Sequence, residues 1–203
     1  MPIIFLNPKG LGVHPMMLGL KERYGFATTP IDKPPANEAE GAKFDGGTFR
    51  SADDRLVGVS MTLHSDGIVC ETKSSTEDAD AFLNEALQWL SSEYDMAMPS
   101  DLPIRKLFVS EVFVQFRGEP AVFGEQVASV LEEISAAIGN KSTGPLGFFG
   151  LNLSTDPARW EKPLHFKFER QINTPFSDER YYSFAPISTN KHLALIEKLE
   201  QFT

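Results

Sequence analysis

The chain has 203 residues, of which 41% are apolar and 23% are charged, proportions typical of a globular protein that forms its own core. Its net charge of −9 argues against a nucleic-acid-binding surface, and the lack of a long apolar run argues against a membrane span. The length predicts a single domain over residues 1–203, and the single cysteine, which excludes an internal disulfide, predicts a cytoplasmic protein.

The first hundred residues begin with a predicted short helix, Pro15 to Tyr24, that Gly25 ends. A Pro- and Gly-rich segment at about 27–47 follows, and it is predicted to be irregular because it is long and lacks a periodic apolar pattern. After it, apolar residues alternate over 57–63, and Asp66-Gly67 separates this predicted strand from a return strand at Ile68 to Thr72. This pattern predicts a β-hairpin.

The hairpin decides how Cys70 is interpreted. With Asp66-Gly67 as the two-residue loop, Leu63 pairs with Cys70, and the thiol lies on the apolar face of the sheet. His64 then points to the opposite face and is no base for that thiol. We therefore expect Cys70 to be buried and unreactive.

A long amphipathic helix is predicted from Thr76 to Tyr94. Ser75 can cap it, and apolar residues recur at helical spacing along it: Ala79, Phe82, Leu83, Ala86, Leu87, Leu90 and Tyr94. Beyond it, residues 106–117 read as one strand with two apolar faces, which favours a central position in a sheet. A helix over 122–138, strands at 148–154, 164–171 and 181–185, and a last helix over 189–202 complete the prediction.

Strands that follow one another through tight turns are antiparallel, so the order of these elements predicts an α+β fold. We expect an antiparallel, curved sheet packed against three main helices. Two blocks, 43–94 and 146–202, each contain three strands and then a helix, which is typical of two similar halves.

The negative charge is concentrated around the long helix. Residues 66–101 hold nine acidic residues and one basic residue, which gives −8 of the total −9. The helix itself has no Lys or Arg. Its predicted outer face consists of Glu77, Asp80, Glu85, Gln88 and Glu93. This face predicts a non-catalytic interaction protein, such as a subunit, an adaptor or an immunity-type inhibitor, that docks a basic protein partner.

The alternative is an enzyme or small-molecule-binding protein with a pocket between sheet and helix. His64, His165 and Tyr181 are the polar candidates for such a pocket. The sequence contains no metal-ligand spacing and no nucleophile motif, so we predict no catalytic residue, no metal site and no cofactor. We also expect no nucleic-acid or membrane partner, and the pattern indicates no oligomeric state.

Overall fold

The structure is a computed structural model that describes residues 7, 9–10, 12–37, 39–97, 105–118, 129–130, 132–134, 136–137, 147–159 and 163–201. The chain divides into two compact units, Met1–Lys106 and Leu107–Thr203. No helix in the described ranges combines the length and hydropathy needed to span a bilayer.

The first unit is a three-stranded antiparallel meander with a helix before it and a helix after it. The strand order in the sheet follows the chain order. The elements are α1 (Val13–Tyr24), β1 (Ala42–Arg50), β2 (Leu56–His64), β3 (Gly67–Thr72) and α2 (Thr76–Tyr94). Both helices end on a residue in the left-handed conformation, Gly25 after α1 and Asp95 after α2.

The core of the first unit is built from aromatic rings. Phe82 of α2 is fully buried and makes edge contacts with Tyr24, Phe26 and Phe49, at centroid distances of 5.0, 6.4 and 5.8 Å. Phe26 also lies 5.3 Å from Phe44. Burying one such side chain stabilises the fold by roughly 1.5–3 kcal/mol. The Phe-rich composition therefore serves to hold both helices on the sheet.

The second unit contains a four-stranded antiparallel sheet and a final helix. The elements are β4 (Ser110–Gln115), β5 (Gly150–Ser154), β6 (His165–Arg170), β7 (Arg180–Ala185) and α3 (Thr189–Glu200). The order across the sheet is β4-β7-β6-β5. Phe168 and Tyr181 stack at 4.6 Å, and with Phe116 and Ile196 they form the buried core of this unit.

The predicted α+β class is confirmed, and its strands form two antiparallel sheets. Each unit contains a three-strand meander followed by a helix, β1-β2-β3-α2 in the first and β5-β6-β7-α3 in the second. The limits of α2 agree with the prediction, and α3 starts at the predicted Thr189. Most of the predicted helix 122–138 lies outside the described residues, but its described part, 129–130, 132–134 and 136–137, is helical.

Two strand predictions are corrected. The strand predicted over 106–117 is shorter, and β4 lies at an edge of its sheet, not in the centre. Its second apolar face is open to solvent: Leu107, Val109 and Phe113 are 70%, 55% and 68% exposed. The segment 27–47 is irregular only as far as Gly41, because β1 begins at residue 42.

A bulge explains why the start of β1 was missed. The pairing of β1 with β2 is interrupted between Phe44 and Gly47, so the alternation of side chains breaks there. Gly46 has a φ of +69°, a conformation that favours glycine. A Cβ on Gly47 would stand 2.5 Å from the ring of Phe26. The glycines therefore allow a strand that a period-two pattern does not reveal.

The hairpin register is also corrected. Cys70 pairs with Met61, and Leu63 pairs with Ile68, so the loop is Ser65-Asp66 and Gly67 opens β3. Gly67 does not adopt a positive φ, so the feature that makes Asp-Gly a turn signal is not used. A shift of two residues leaves each side chain on its predicted face. Cys70 accordingly packs against the first core, but it is half-buried and not fully buried as predicted.

Candidate functional site

The predicted acidic face lies on α2, whose first turn is fixed by local hydrogen bonds. The backbone N–H of Asp78 donates to Ser75 Oγ at 3.1 Å, which confirms the predicted cap. Glu77 and Asp78 lie in this turn, where carboxylates interact favourably with the positive end of the helix dipole. Phe82, Ala86, Leu87 and Leu90 turn the opposite side of the helix into the core.

The five residues of the predicted face differ in exposure. Gln88 and Glu93 are exposed, whereas Glu77, Asp80 and Glu85 are half-buried. Lys106 Nζ donates to Asp80 Oδ1 at 2.6 Å, and Arg23 Nη2 donates to Glu85 Oε1 at 2.6 Å. Both cations come from outside α2. Two of the four carboxylates therefore already have a positive partner within the chain.

Arg23 ties Glu85 into a packed cluster with aromatic rings. The guanidinium carbon lies 5.3 Å from the Trp89 ring centroid and 5.6 Å from that of Tyr24, within cation–π range. The hydrogen bond to Glu85 raises the pKa of Arg23 above its ordinary value. The Tyr24 hydroxyl donates to Glu85 Oε1 at 3.3 Å, and burial raises the pKa of Tyr24 to about 12. Glu85 thus supports the contact between α1 and α2.

The C-terminal end of α2 has a different electrostatic character. Its last turn contains no basic residue, although the helix dipole places partial negative charge there. Asp95, the residue after the helix, forms an ion pair with Lys9. Among the residues that the structure describes, no cation pairs with Glu93. This end of α2 is therefore the part of the predicted face with uncompensated negative charge.

A second constellation, which the sequence analysis missed, is buried in the second unit. His192 of α3 is 0% exposed, and its ring lies between two serine hydroxyls. Ser110 Oγ of β4 is 2.9 Å from His192 Nδ1, and Ser183 Oγ of β7 is 2.8 Å from His192 Nε2. Ser183 Oγ also donates to the carbonyl oxygen of Lys167 on β6, at 2.9 Å.

One arrangement of protons satisfies all these bonds. Ser183 has a single hydroxyl proton, which it donates to Lys167, so its oxygen accepts a proton from His192 Nε2–H. His192 Nδ1 then accepts the hydroxyl proton of Ser110. The imidazole is neutral in this arrangement. Desolvation by burial lowers the pKa of His192, which also favours the neutral ring.

Ser110 and His192 have the separation of a nucleophile and its general base. Both are buried, however, as is Ser183, so no substrate atom can approach the hydroxyl in this arrangement. The network instead connects α3 to β4 and β7 directly. Sequence offers one signal for it: a histidine on the apolar stripe of a helix needs hydrogen-bond partners, because buried polar groups rarely lack them.

The three residues of the predicted pocket do not belong to one unit. His64 is half-buried at the end of β2 in the first unit. In the second unit, His165 is exposed, whereas Tyr181 is fully buried and donates to Glu179 Oε2 at 2.5 Å. Tyr181 pairs with Arg170, which lies five residues along β6 from His165, so about 17 Å of strand separates them.

An open concavity lies elsewhere, near the C-terminal end of α3. Its lining consists of Arg117, Glu197, Glu200 and Gln201. The backbone N–H of Arg117 donates to Glu200 Oε1 at 3.3 Å. None of the three predicted pocket residues contributes to this lining.

In the part of the chain that the structure describes, no group of three or more His, Cys, Asp and Glu side chains has the geometry to hold a metal ion. Comparison of the chain with protein-family models, with curated proteins and with solved structures finds no match.

Proposed function

We propose that this chain is a non-catalytic protein that binds a basic protein partner at the solvent-facing, C-terminal half of α2. The observation that carries the proposal is Glu93, an exposed carboxylate with no cationic partner among the described residues. Gln88, five residues earlier in the same half of the helix, is also exposed. Such a protein acts as a subunit, an adaptor or an inhibitor of its partner.

The position of Glu93 supports this reading more strongly than its charge alone. A negative charge in the last turn of a helix opposes the dipole, at a cost of about 0.3–1 kcal/mol. The first unit also carries most of the net charge, since its sixteen acidic and ten basic residues sum to −6. A Lys or Arg of a partner would offset the unfavourable interaction of Glu93 with the helix dipole and part of the negative charge of the first unit. The electrostatic potential of that negative charge would also attract the cation.

The other three residues of the predicted face have narrower roles in this proposal. Asp80 and Glu85 are paired with Lys106 and Arg23, so a partner gains less from them. Glu77 is half-buried and already has a hydrogen bond, from Thr76 Oγ1 at 3.1 Å. We therefore assign the first contact to Gln88 and Glu93.

The composition supports the class of partner. The charge of −9 favours a basic protein over a nucleic acid. The single cysteine supports a reducing compartment such as the cytoplasm. No arrangement of the described residues favours the alternative of a small-molecule pocket at His64, His165 and Tyr181, so that alternative carries no proposal.

The test uses an octalysine peptide as a defined cationic probe. We expect it to shift amide resonances around residues 88–95 at low salt, and the shifts should shrink as salt screens the charges. Reversing Glu93→Lys should weaken its affinity roughly tenfold, about 1.4 kcal/mol. The matched control is Glu197→Lys, which makes the same charge change at an exposed position on α3. An octauridine RNA should not bind.

Two outcomes would contradict the proposal. If Glu93→Lys and Glu197→Lys weaken the peptide equally, the peptide responds to net charge and α2 has no special role. If the resonance shifts spread over the whole protein surface and are not concentrated at residues 88–95, the outer face of α2 is an ordinary solvent-exposed surface and not a binding site. Reversal of Glu85 is unsuitable as a test, because it would break the contact of Glu85 with Arg23 and Tyr24.

A further inference from the structure

The buried network at His192 holds one helix to three strands through a single imidazole. Its two ring nitrogens bond to Ser110 on β4 and Ser183 on β7, and Ser183 continues to the backbone of β6. The Phe166 ring lies edge-on at 6.3 Å from the imidazole. Four elements therefore meet at a group whose protonation state changes near neutral pH.

Few charged groups face this ring. The core-facing residues of β4 are Ser110, Val112 and Val114, which have no charge, and α3 turns its own Lys191, Glu197 and Lys198 to solvent. On the core side of β7 and β6, the titratable or charged residues are Tyr181 and Arg170. Glu179, the carboxylate near them, is engaged by both: it accepts the Tyr181 hydroxyl and lies 3.3 Å from Arg170 Nη1.

An imidazolium here would have no counter-ion among the buried residues that the structure describes in the second unit. The buried charge described there is the guanidinium of Arg170, which has the same sign. Protonation at Nδ1 would also require the Ser110 hydroxyl to turn its proton away from the ring. A buried charge without a partner destabilises the state that contains it.

We propose that His192 makes the docking of α3 acid-sensitive, so that a neutral ring holds the helix on β4 and β7 and a proton on Nδ1 loosens it. This device goes beyond the binding function proposed for α2 and uses residues of the other unit. Burial lowers the pKa of His192 below 6.5, its ordinary value. The unfolded chain therefore binds this proton more readily than the folded chain does.

The sign of the effect follows from linkage. Where the unfolded state binds more protons, stability rises with pH. The contribution of His192 is complete above pH 6.5, and it is lost as pH falls from 6.5 towards the lowered pKa of the folded state. Between pH 7.5 and 5.5 this predicts a larger opening constant for α3, by at most about tenfold.

The experiment measures amide hydrogen exchange of α3 in the full chain, corrected for the intrinsic pH dependence of exchange. In the wild type we expect corrected exchange to be about two- to tenfold faster at pH 5.5 than at pH 7.5. His192→Gln should remove this difference, because its amide does not titrate. The matched control is His165→Gln, an exposed histidine of the same unit, which should retain it.

A direct measurement in the wild type keeps the test decisive even if His192→Gln does not fold. The imidazole resonances of His192 should report the Nε2–H form at pH 7.5 and should titrate below pH 6.5. Titration at or above 6.5 with α3 still protected would overturn the proposal. So would corrected α3 exchange that changes less than twofold between the two pH values.

Discussion

Arg170→Met tests whether one buried cation organises the connection between β6 and β7. Arg170 is 3% exposed, and its Nε donates to the carbonyl oxygen of Phe148 at 2.7 Å. Its Nη1 donates to the carbonyl oxygen of Phe176 at 2.8 Å and lies 3.3 Å from Glu179 Oε2. The guanidinium carbon also lies 4.3 Å from the Phe176 ring centroid. Methionine fills part of this space but replaces none of the polar contacts.

The expected cost follows from the groups left without partners. Hydrogen bonds from a charged donor contribute about 1.5–3 kcal/mol each, and removing one member of a buried ion pair costs about 3–5 kcal/mol. Because these losses share one side chain, they do not add fully. We therefore expect the free energy of unfolding of the second unit to fall by about 3–5 kcal/mol.

Urea unfolding followed by circular dichroism gives the stability, and amide exchange in β6 and β7 assigns the loss to the second unit. Arg180→Met is the matched control, because Arg180 is exposed and should cost less than about 0.5 kcal/mol. Adding Glu179→Gln to Arg170→Met should recover part of the loss, since it removes the unpaired carboxylate. A loss below about 1 kcal/mol for Arg170→Met, or one equal to that of Arg180→Met, would refute this reasoning.

Two further predictions concern the reactivity of Cys70 in the first sheet and the contribution of two phenylalanines in the second sheet to stability. Burial, together with the negative charges of Asp80 and Glu71, raises the pKa of Cys70 to about 12. A thiol reagent at pH 8 should therefore label the native chain roughly a thousandfold more slowly than the urea-unfolded chain. Labelling rates within tenfold of each other would contradict this. In the second sheet, Phe168→Ala should cost about 3–5 kcal/mol in urea unfolding, whereas Phe113→Ala should cost less than about 0.5 kcal/mol. Similar losses would mean that the outer face of β4 is covered.

The helices were predictable from sequence because their determinants are local. Ser75 and the apolar spacing from Phe82 to Leu90 are sufficient to fix the start, the direction and the buried side of α2. Gly25 similarly marks the end of α1. Capping and periodicity act within one or two turns of the chain, so no tertiary information is needed to recognise them.

The strands show where this local information ends. The two apolar faces of β4 suggested a central strand, yet pairing leaves β4 at an edge with Phe113 in solvent. Whether a face is covered depends on which strand or helix arrives beside it, and that choice involves residues far along the chain. The bulge before Gly47 also depends on distant residues, since the need for glycine at position 47 is explained by the Phe26 ring that packs against it.

The buried network was missed for the same reason. Ser110 and His192 are 82 residues apart, and neither carries a motif that points to the other. His192 stands one helical turn before Ile196, a spacing that predicts a core-facing position but does not reveal its partners. The neutral imidazole can be buried because Ser110 and Ser183 provide hydrogen-bond partners for its two ring nitrogens.

The acidic helix gives the most useful correction, because charge on a helix is not the same as charge presented to a partner. Counting residues on the predicted outer face of α2 suggested four carboxylates and no cation, but the fold supplies Lys106 to Asp80 and Arg23 to Glu85. The pairing is selective: it neutralises the middle of the helix and leaves the end, where Glu93 opposes the dipole. Paired carboxylates gain little from a new cation, since the partner must compete with one already in place. The docking hypothesis therefore depends on Glu93 far more than on the overall charge of −9.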